Sequence, residues 1–323
     1  MLHRLIAAAV VAASLLASIA AHAQPARLEI HPLESVHLTN QTFLTGQKDG
    51  KRVMLAGELR IARPGTDKLP AVILIHGSGG LGASTQRWAD ELNSIGVSAF
   101  ILDSFAGRGI VSTVADQTQL DSIAMMVDAF KALALLAEHP RVDPKRIAVM
   151  GFSKGAVAAV YSSNLRFQRL HGPATASFAA HIGLYTPCNI DWREDTQTSR
   201  APIRLHHGIA DDYVSIVPCR GYVERLKSAG ADVVLTEYAD AHHAYDNAAL
   251  GAPVANPRAQ TTRSCWLKEG NDGQILNAKT GQVYSIASDP CVELGPHVGY
   301  NAAAHQATLA AVKEFLTATF ALN

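Results

Sequence analysis

Little in this chain ties it to a metal, a redox partner or a polyanion. Its 323 residues contain four cysteines, Cys188, Cys219, Cys265 and Cys291, and none of them forms a C-x-x-C pair. That spacing excludes the common zinc and dithiol motifs. Neither sign of charge is in excess, since Lys plus Arg and Asp plus Glu each number 28. Such balance offers no electrostatic argument for nucleic acid or an anionic membrane as partner. Beyond the first two dozen residues no apolar run is long enough to cross a bilayer. No internal repeat or low-complexity segment is present, and no metal or cofactor is expected.

The first apolar run reads as a leader. Arg4 supplies a positive start, Leu5 to Ile19 an apolar core, and Ala21 to Ala23 an A-x-A cleavage site ahead of Gln24. This is the pattern of a secretory signal peptide over residues 1–23, too short and too weakly flanked for a stable span. Its removal leaves 27 basic against 28 acidic residues. Residues 24–323 are then expected to be exported, periplasmic or secreted, and soluble. With 48% hydrophobic and 17% charged residues they can bury the core of one large domain. In an exported chain an even number of cysteines reads as two disulfides.

The rhythm of the chain predicts an α/β fold. Period-two segments at Arg27–His31 and Val53–Ile61 look like antiparallel edge strands. Pro70–Ile75, Ser98–Leu102, Ile147–Met150, Phe178–Tyr185, Pro202–Gly208 and Ala231–Tyr238 are apolar runs suited to strands buried on both faces. Helical patterns at Thr85–Leu92, Leu120–Glu138, Ala156–Tyr161 and Ala302–Phe320 alternate with them. Strands alternating with helices predict one doubly wound, mostly parallel sheet. Residues 247–300 break this rhythm. They are rich in Gly, Asn, Pro and Thr, contain a hairpin-like stretch at Ile275–Ser285, and read as an insertion covering or flanking a site. Cys265 and Cys291 flank that stretch and are expected to staple it. Cys188 and Cys219 follow successive strands, so a bond between them is sterically reasonable.

Chemistry concentrates at strand ends. Gly151–Gly155 fits G-x-S-x-G between an apolar strand and a helix, the context of a nucleophile elbow. Side chains two residues either side of Ser153 would collide on so tight a turn, which favours glycine there. A serine nucleophile needs a base, and the base needs an acid to orient it. Asp211 or Asp212 follows a later strand, and His242 or His243 follows the last one, in the order Ser, acid, His. Gly77–Gly82 also satisfies G-x-G-x-x-G, with Asp103 about twenty residues on, as in a dinucleotide-binding fold. A dinucleotide domain has no use for a serine elbow. The same loop can instead offer a backbone N–H to a substrate oxyanion. Arg108, in the turn-rich loop after Asp103, is a candidate for substrate contact.

These pieces together resemble the dienelactone hydrolase family of the α/β-hydrolase superfamily. The resemblance runs from about Pro70 to the C-terminal helix and is carried by Ile75–Gly80, Asp103–Gly109, Gly151–Gly155, Gly208–Asp212 and Tyr238–Asp246. It implies a catalytic Asp211, from a G-x-x-D loop, and a catalytic His243, followed by a small and then an aromatic residue. It also implies an oxyanion hole made by the backbone N–H groups of Lys154 and of Ser78, or of Gly79 beside it. Two residues depart from the founding members, which use a cysteine nucleophile where Ser153 stands and a glutamate where Gly77 stands. The implied activity is hydrolysis of a small ester, lactone or thioester through an acyl-enzyme. A peptidase on the same fold and a non-catalytic binding protein are the other readings. A fluorophosphonate label on Ser153 would separate the enzymes from the binding protein, and a panel of esters of graded acyl length would follow.

Overall fold

The computed structural model describes residues 25–322, so the leader expected over residues 1–23 lies outside them. The chain begins with β1 (Arg27–His37), a short α1 (Asn40–Leu44), β2 (Lys51–Ile61), β3 (Leu69–Ile75), α2 (Ala83–Ser94) and β4 (Ser98–Asp103). It continues through α3 (Ala124–Glu138), β5 (Val142–Phe152), α4 (Lys154–Tyr161), α5 (Leu165–His171), β6 (Ala180–Leu184) and β7 (Ile190–Asp191). Then come β8 (Ile203–Gly208), α6 (Ile216–Ser228) and β9 (Val233–Tyr238).

Eight strands make the main sheet, in the order β1-β2-β4-β3-β5-β6-β8-β9. β1 and β2 enter antiparallel, and β4 through β9 run parallel. β3 explains why the inner strands read as unbroken apolar runs. Leu69, Ala71, Ile73 and Ile75 join the core beneath α3, α4 and α6, while Val72 and Leu74 pack with Trp88 and Leu92 of α2. A strand covered on both faces has no solvent side to mark with polar residues. α7 (Ala302–Phe320) returns to the α2 face, burying Val312, Leu316 and Phe320.

Two elements differ from the sequence expectation. The helix expected from Leu120 starts at Ala124; the backbone at Leu120 is extended, and the preceding Gln117–Gln119 form one 3-10 turn capped by Asp116. An apolar period cannot show where capping and a local turn delay the helix. The stretch expected as a hairpin at Ile275–Ser285 closes by a single bridge, Leu276 to Val283. Its first strand, β13 (Ile275–Asn277), pairs instead with β12 (Leu267–Glu269), which runs parallel to β7.

The rest of residues 247–300 is held by two more short pairings. β10 (Val254–Ala255) meets β15 (His297–Val298), and β11 (Gln260–Thr261) meets β14 (Glu293–Leu294). Both expected disulfides are present, Cys188–Cys219 and Cys265–Cys291. A buried ion pair adds to them: Arg166 on α5 holds Glu269 on β12 with two hydrogen bonds, 2.7 and 2.5 Å. So the insertion, poor in apolar residues, is stapled internally by Cys265–Cys291 and held to the rest of the fold by the Arg166–Glu269 pair.

Candidate active site

The loops that carry the candidate residues leave the same edge of the sheet, the carboxyl ends of β3, β5, β8 and β9. In open α/β sheets that edge is where ligands bind. Ser153 sits between β5 and α4 with φ 51° and ψ −115°. For a residue with a Cβ that conformation costs about 1–3 kcal/mol and must be enforced by its surroundings. The glycines on either side allow it. A Cβ at Gly151 would lie 2.2 Å from the Gly155 carbonyl oxygen, and one at Gly155 would lie 2.3 Å from that of Ile75.

His243 follows β9, and its Nε2 lies 2.9 Å from Ser153 Oγ. Its Nδ1 lies 2.8 Å from Asp211 Oδ2. An ionised carboxylate only accepts, so Nδ1–H donates to Asp211 and Nε2 is left to accept from the serine hydroxyl. Asp211 is itself oriented: its Oδ1 accepts the backbone N–H groups of Tyr213 and Val214 at 2.9 and 2.8 Å. His207 stands 3.6 Å from Asp211 Oδ2 and donates to the Val214 carbonyl. Burial pushes its pKa down, so it stays a neutral neighbour. The arrangement can withdraw the serine proton and hold the resulting imidazolium beside an anion.

Adjacent residues point elsewhere. Asp212 accepts from Arg263 at 3.2 Å and from His297, through both ring and backbone nitrogens, at 2.8 Å. Burial alone would raise its pKa; the His297 and Arg263 contacts outweigh that and hold the carboxyl below its usual range. Asp212 therefore fastens the inserted segment to the acid loop. His242 lies beside His297, with ring centroids 5.9 Å apart.

Ser153 opens into a cleft of about 550 Å³, within the size range of small-molecule sites. Ser78 and Lys154 line it next to the serine. The first loop presses on the elbow, since a Cβ at Gly77 would come within 3.3 Å of Ser153 Cβ. Other walls come from Thr39–Gln41 at α1 and from Gln117, Thr118 and Leu120–Ile123 before α3, to which no sequence signal pointed, and from Gln274, Ile275 and Tyr284 of the segment expected to flank a site.

Arg108 is not a substrate contact. It turns inward with its side chain 2% exposed, donates to both oxygens of the buried Asp128 at 2.8 and 2.9 Å, and bonds the Ser104 carbonyl. A buried guanidinium needs an anion, and Asp128 lies on α3, too far along the chain for local pattern to reveal. The loop it belongs to packs on β2 and does not line the cleft.

Other residues gained significance only from the structure. Tyr185 and Tyr213 flank the His243 ring at centroid distances of 4.6 and 4.5 Å. The Tyr185 hydroxyl donates to Asp246, which also accepts from Trp88 and Ser84. Burial, with Asp246 close by, raises the Tyr185 pKa well above the usual phenol range. Among the described residues one group could offer three metal ligands, Glu29, His31 and His139. Both imidazoles already meet Glu29 at 3.0 Å. His139 Nδ1 accepts the Arg141 N–H, so its Nε2 carries the proton and donates rather than ligates.

A mostly parallel sheet with a strained serine turn at its centre, and acid and histidine on later strand ends, defines the α/β-hydrolase class. Within that class the chain belongs to the dienelactone hydrolase family, whose model matches residues 58–320, and it is a hydrolase. An uncharacterized protein of Caenorhabditis elegans is 25% identical over 114 residues, 35% of this chain and 68% of that protein. Among solved structures, a dienelactone hydrolase-like promiscuous phosphotriesterase from metagenomic libraries is 14% identical. It covers 90% of this chain and 98% of its own at a TM-score of 0.55. At that identity the likeness speaks for the fold alone.

Proposed function

We propose that this hydrolase is an exported serine esterase that cleaves a small carboxylic ester, lactone or thioester through an acyl-enzyme. The observation that carries the reading is the continuous hydrogen-bonded line from Ser153 Oγ through both nitrogens of His243 to Asp211. His243 Nε2 takes the serine proton as Oγ attacks the carbonyl carbon. The oxyanion that forms is held by the backbone N–H groups of Lys154 and Ser78. Collapse expels the alcohol, which takes the proton from His243. Water then enters by the same base, and hydrolysis releases the acid and restores Ser153. Asp211 keeps the imidazole in one tautomer throughout.

The N-terminal 23 residues act as a cleaved export signal in this reading. Two disulfides support an oxidising compartment, and no helix among the described residues is long and apolar enough to cross a membrane. The inserted residues 247–300 form one wall of the substrate cleft.

A fluorophosphonate probe should label Ser153, mapped by mass spectrometry, and Ser153→Ala should remove the label and lower ester turnover by ~10³-fold or more. Labelling at another residue, or undiminished turnover in the variant, would overturn the assignment. Amino-terminal sequencing of the protein recovered from the cell exterior should begin near Gln24.

A further inference from the structure

Gln117 joins the two residues that frame the proposed oxyanion hole. It lies in the 3-10 turn before α3, far in sequence from both. Its Oε1 accepts the Lys154 ammonium at 2.8 Å, and its Nε2–H donates to Ser78 Oγ at 3.0 Å. Thr113 closes the loop: its hydroxyl reaches Gln117 Oε1 at 3.2 Å, and its backbone N–H donates to the Ser78 carbonyl at 2.8 Å. Ser78 is therefore held from its side chain and its main chain at once. On the other side Gln117 N–H donates to Gln260 Oε1 at 2.9 Å, a residue of β11 in the insertion. Its neighbour Thr261 donates to the carbonyl of Tyr213, in the acid loop.

We infer that Gln117 is a positioning residue of the oxyanion hole, and that the 247–300 segment acts on the chemistry through it. The inference rests on the serine-esterase reading of the site. A carboxamide suits the task because one end accepts and the other donates. It can bind an ammonium and a hydroxyl on opposite sides, and rotating it would break both bonds. Oxyanion donors work when they are fixed before charge develops, and a shift of well under 1 Å weakens them. Lys154 opens α4 and Ser78 lies in the loop after β3, so some group must hold their spacing. Among the described residues Gln117 is the side chain that hydrogen-bonds both. It does not touch the reacting atoms.

The test is a kinetic split with a transition-state analogue. Gln117→Leu should lower kcat by about 10- to 100-fold, less than the loss expected when a donor is deleted outright. KM should stay within about threefold, since Gln117 is one of many residues lining the cleft while its bonds to Ser78 and Lys154 act on the oxyanion donors. The affinity of a trifluoromethyl ketone, which forms an oxyanion on Ser153, should fall by the same factor as kcat/KM. Gln117→Glu keeps an acceptor for Lys154 and one for the Ser78 hydroxyl, and should recover most of the rate. Gln260→Ala, which removes only the outer anchor, should show the same parallel losses at smaller size and serves if the leucine variant does not fold. Unchanged kcat in the folded variants, or reduced kcat with unchanged ketone affinity, would overturn the inference. Ser153→Ala separates the two levels: if it keeps turnover, the esterase reading itself fails, whatever Gln117 does.

Discussion

Lys154 carries a charge that the fold holds out of water, and its removal should make the protein more stable. Its side chain is buried behind the elbow and bonds only oxygens of Gln117, with no ion pair. Burial pulls its pKa from 10.5 down to about 8, against the opposing attraction of Asp121 and Asp116. A fall of that size corresponds to about 3 kcal/mol of destabilisation while the lysine is charged in both states. Lys154→Met should relieve it, losing about 1 kcal/mol for the hydrogen bond to Gln117, whose Oε1 keeps Thr113 as a donor. The expected net gain at pH 7 is about 2 kcal/mol, or roughly 4 °C in Tm for a chain of this size. The sign with pH follows from linkage. Above pH 8 the folded protein loses the proton before the unfolded chain does, so wild-type stability rises until the lysine is neutral in both. The advantage of the variant should be full below about pH 8 and vanish by about pH 10.5. Urea denaturation of both proteins across that range measures it. A variant less stable at pH 7, or an advantage that does not shrink with pH, would refute a buried charged lysine. The same variant should be slower, because Gln117 loses its anchor.

Asp211→Asn should lower kcat by about 10⁴-fold, as a wrongly protonated imidazole does elsewhere. Asp212→Asn, which weakens only a partly exposed ion pair, should cost less than about tenfold; p-nitrophenyl acetate turnover distinguishes them, and equal losses would reverse the assignment. Arg108→Met leaves Asp128 buried without a cation and should cost about 3–5 kcal/mol in denaturant titration. KM of the folded fraction should be unchanged, since Arg108 does not line the cleft. Replacing Cys188 and Cys219 together by Ala opens a loop with ends 31 residues apart. Chain entropy puts the loss at about 4 kcal/mol, visible as a lower unfolding midpoint by calorimetry.

Much of the architecture is legible in the chain because it is written locally. The apolar runs at Pro70–Ile75 and Ile147–Met150 report burial on both faces, and the G-x-S-x-G glycines report a turn that tolerates no side chain. Cys265 and Cys291 bracket a short stretch and pair across it, while Cys188 follows β6 and Cys219 lies in α6 after the neighbouring β8. The elements misplaced from sequence were the start of α3, set by a capped local turn, and the partner of β13, which is the preceding strand β12, itself held against the distant β7.

By itself the sequence determined the order of chemistry along the chain: a serine on an elbow, then paired aspartates, then paired histidines, each after a strand. Residue pattern alone left each pair open, the family resemblance pointed to Asp211 and His243, and the tertiary structure is what brings those two together. Asp211 turns to His243, while Asp212 turns to Arg263 and His297 of the insertion. The structure alone also moved Arg108 from the site to a buried pair with Asp128, and brought Gln117 between Ser78 and Lys154. The reason is physical. Strand period and turn sterics act over a few residues and leave a pattern, whereas a charge or an amide is satisfied by whatever partner folding brings near, and that partner leaves no trace at its own position.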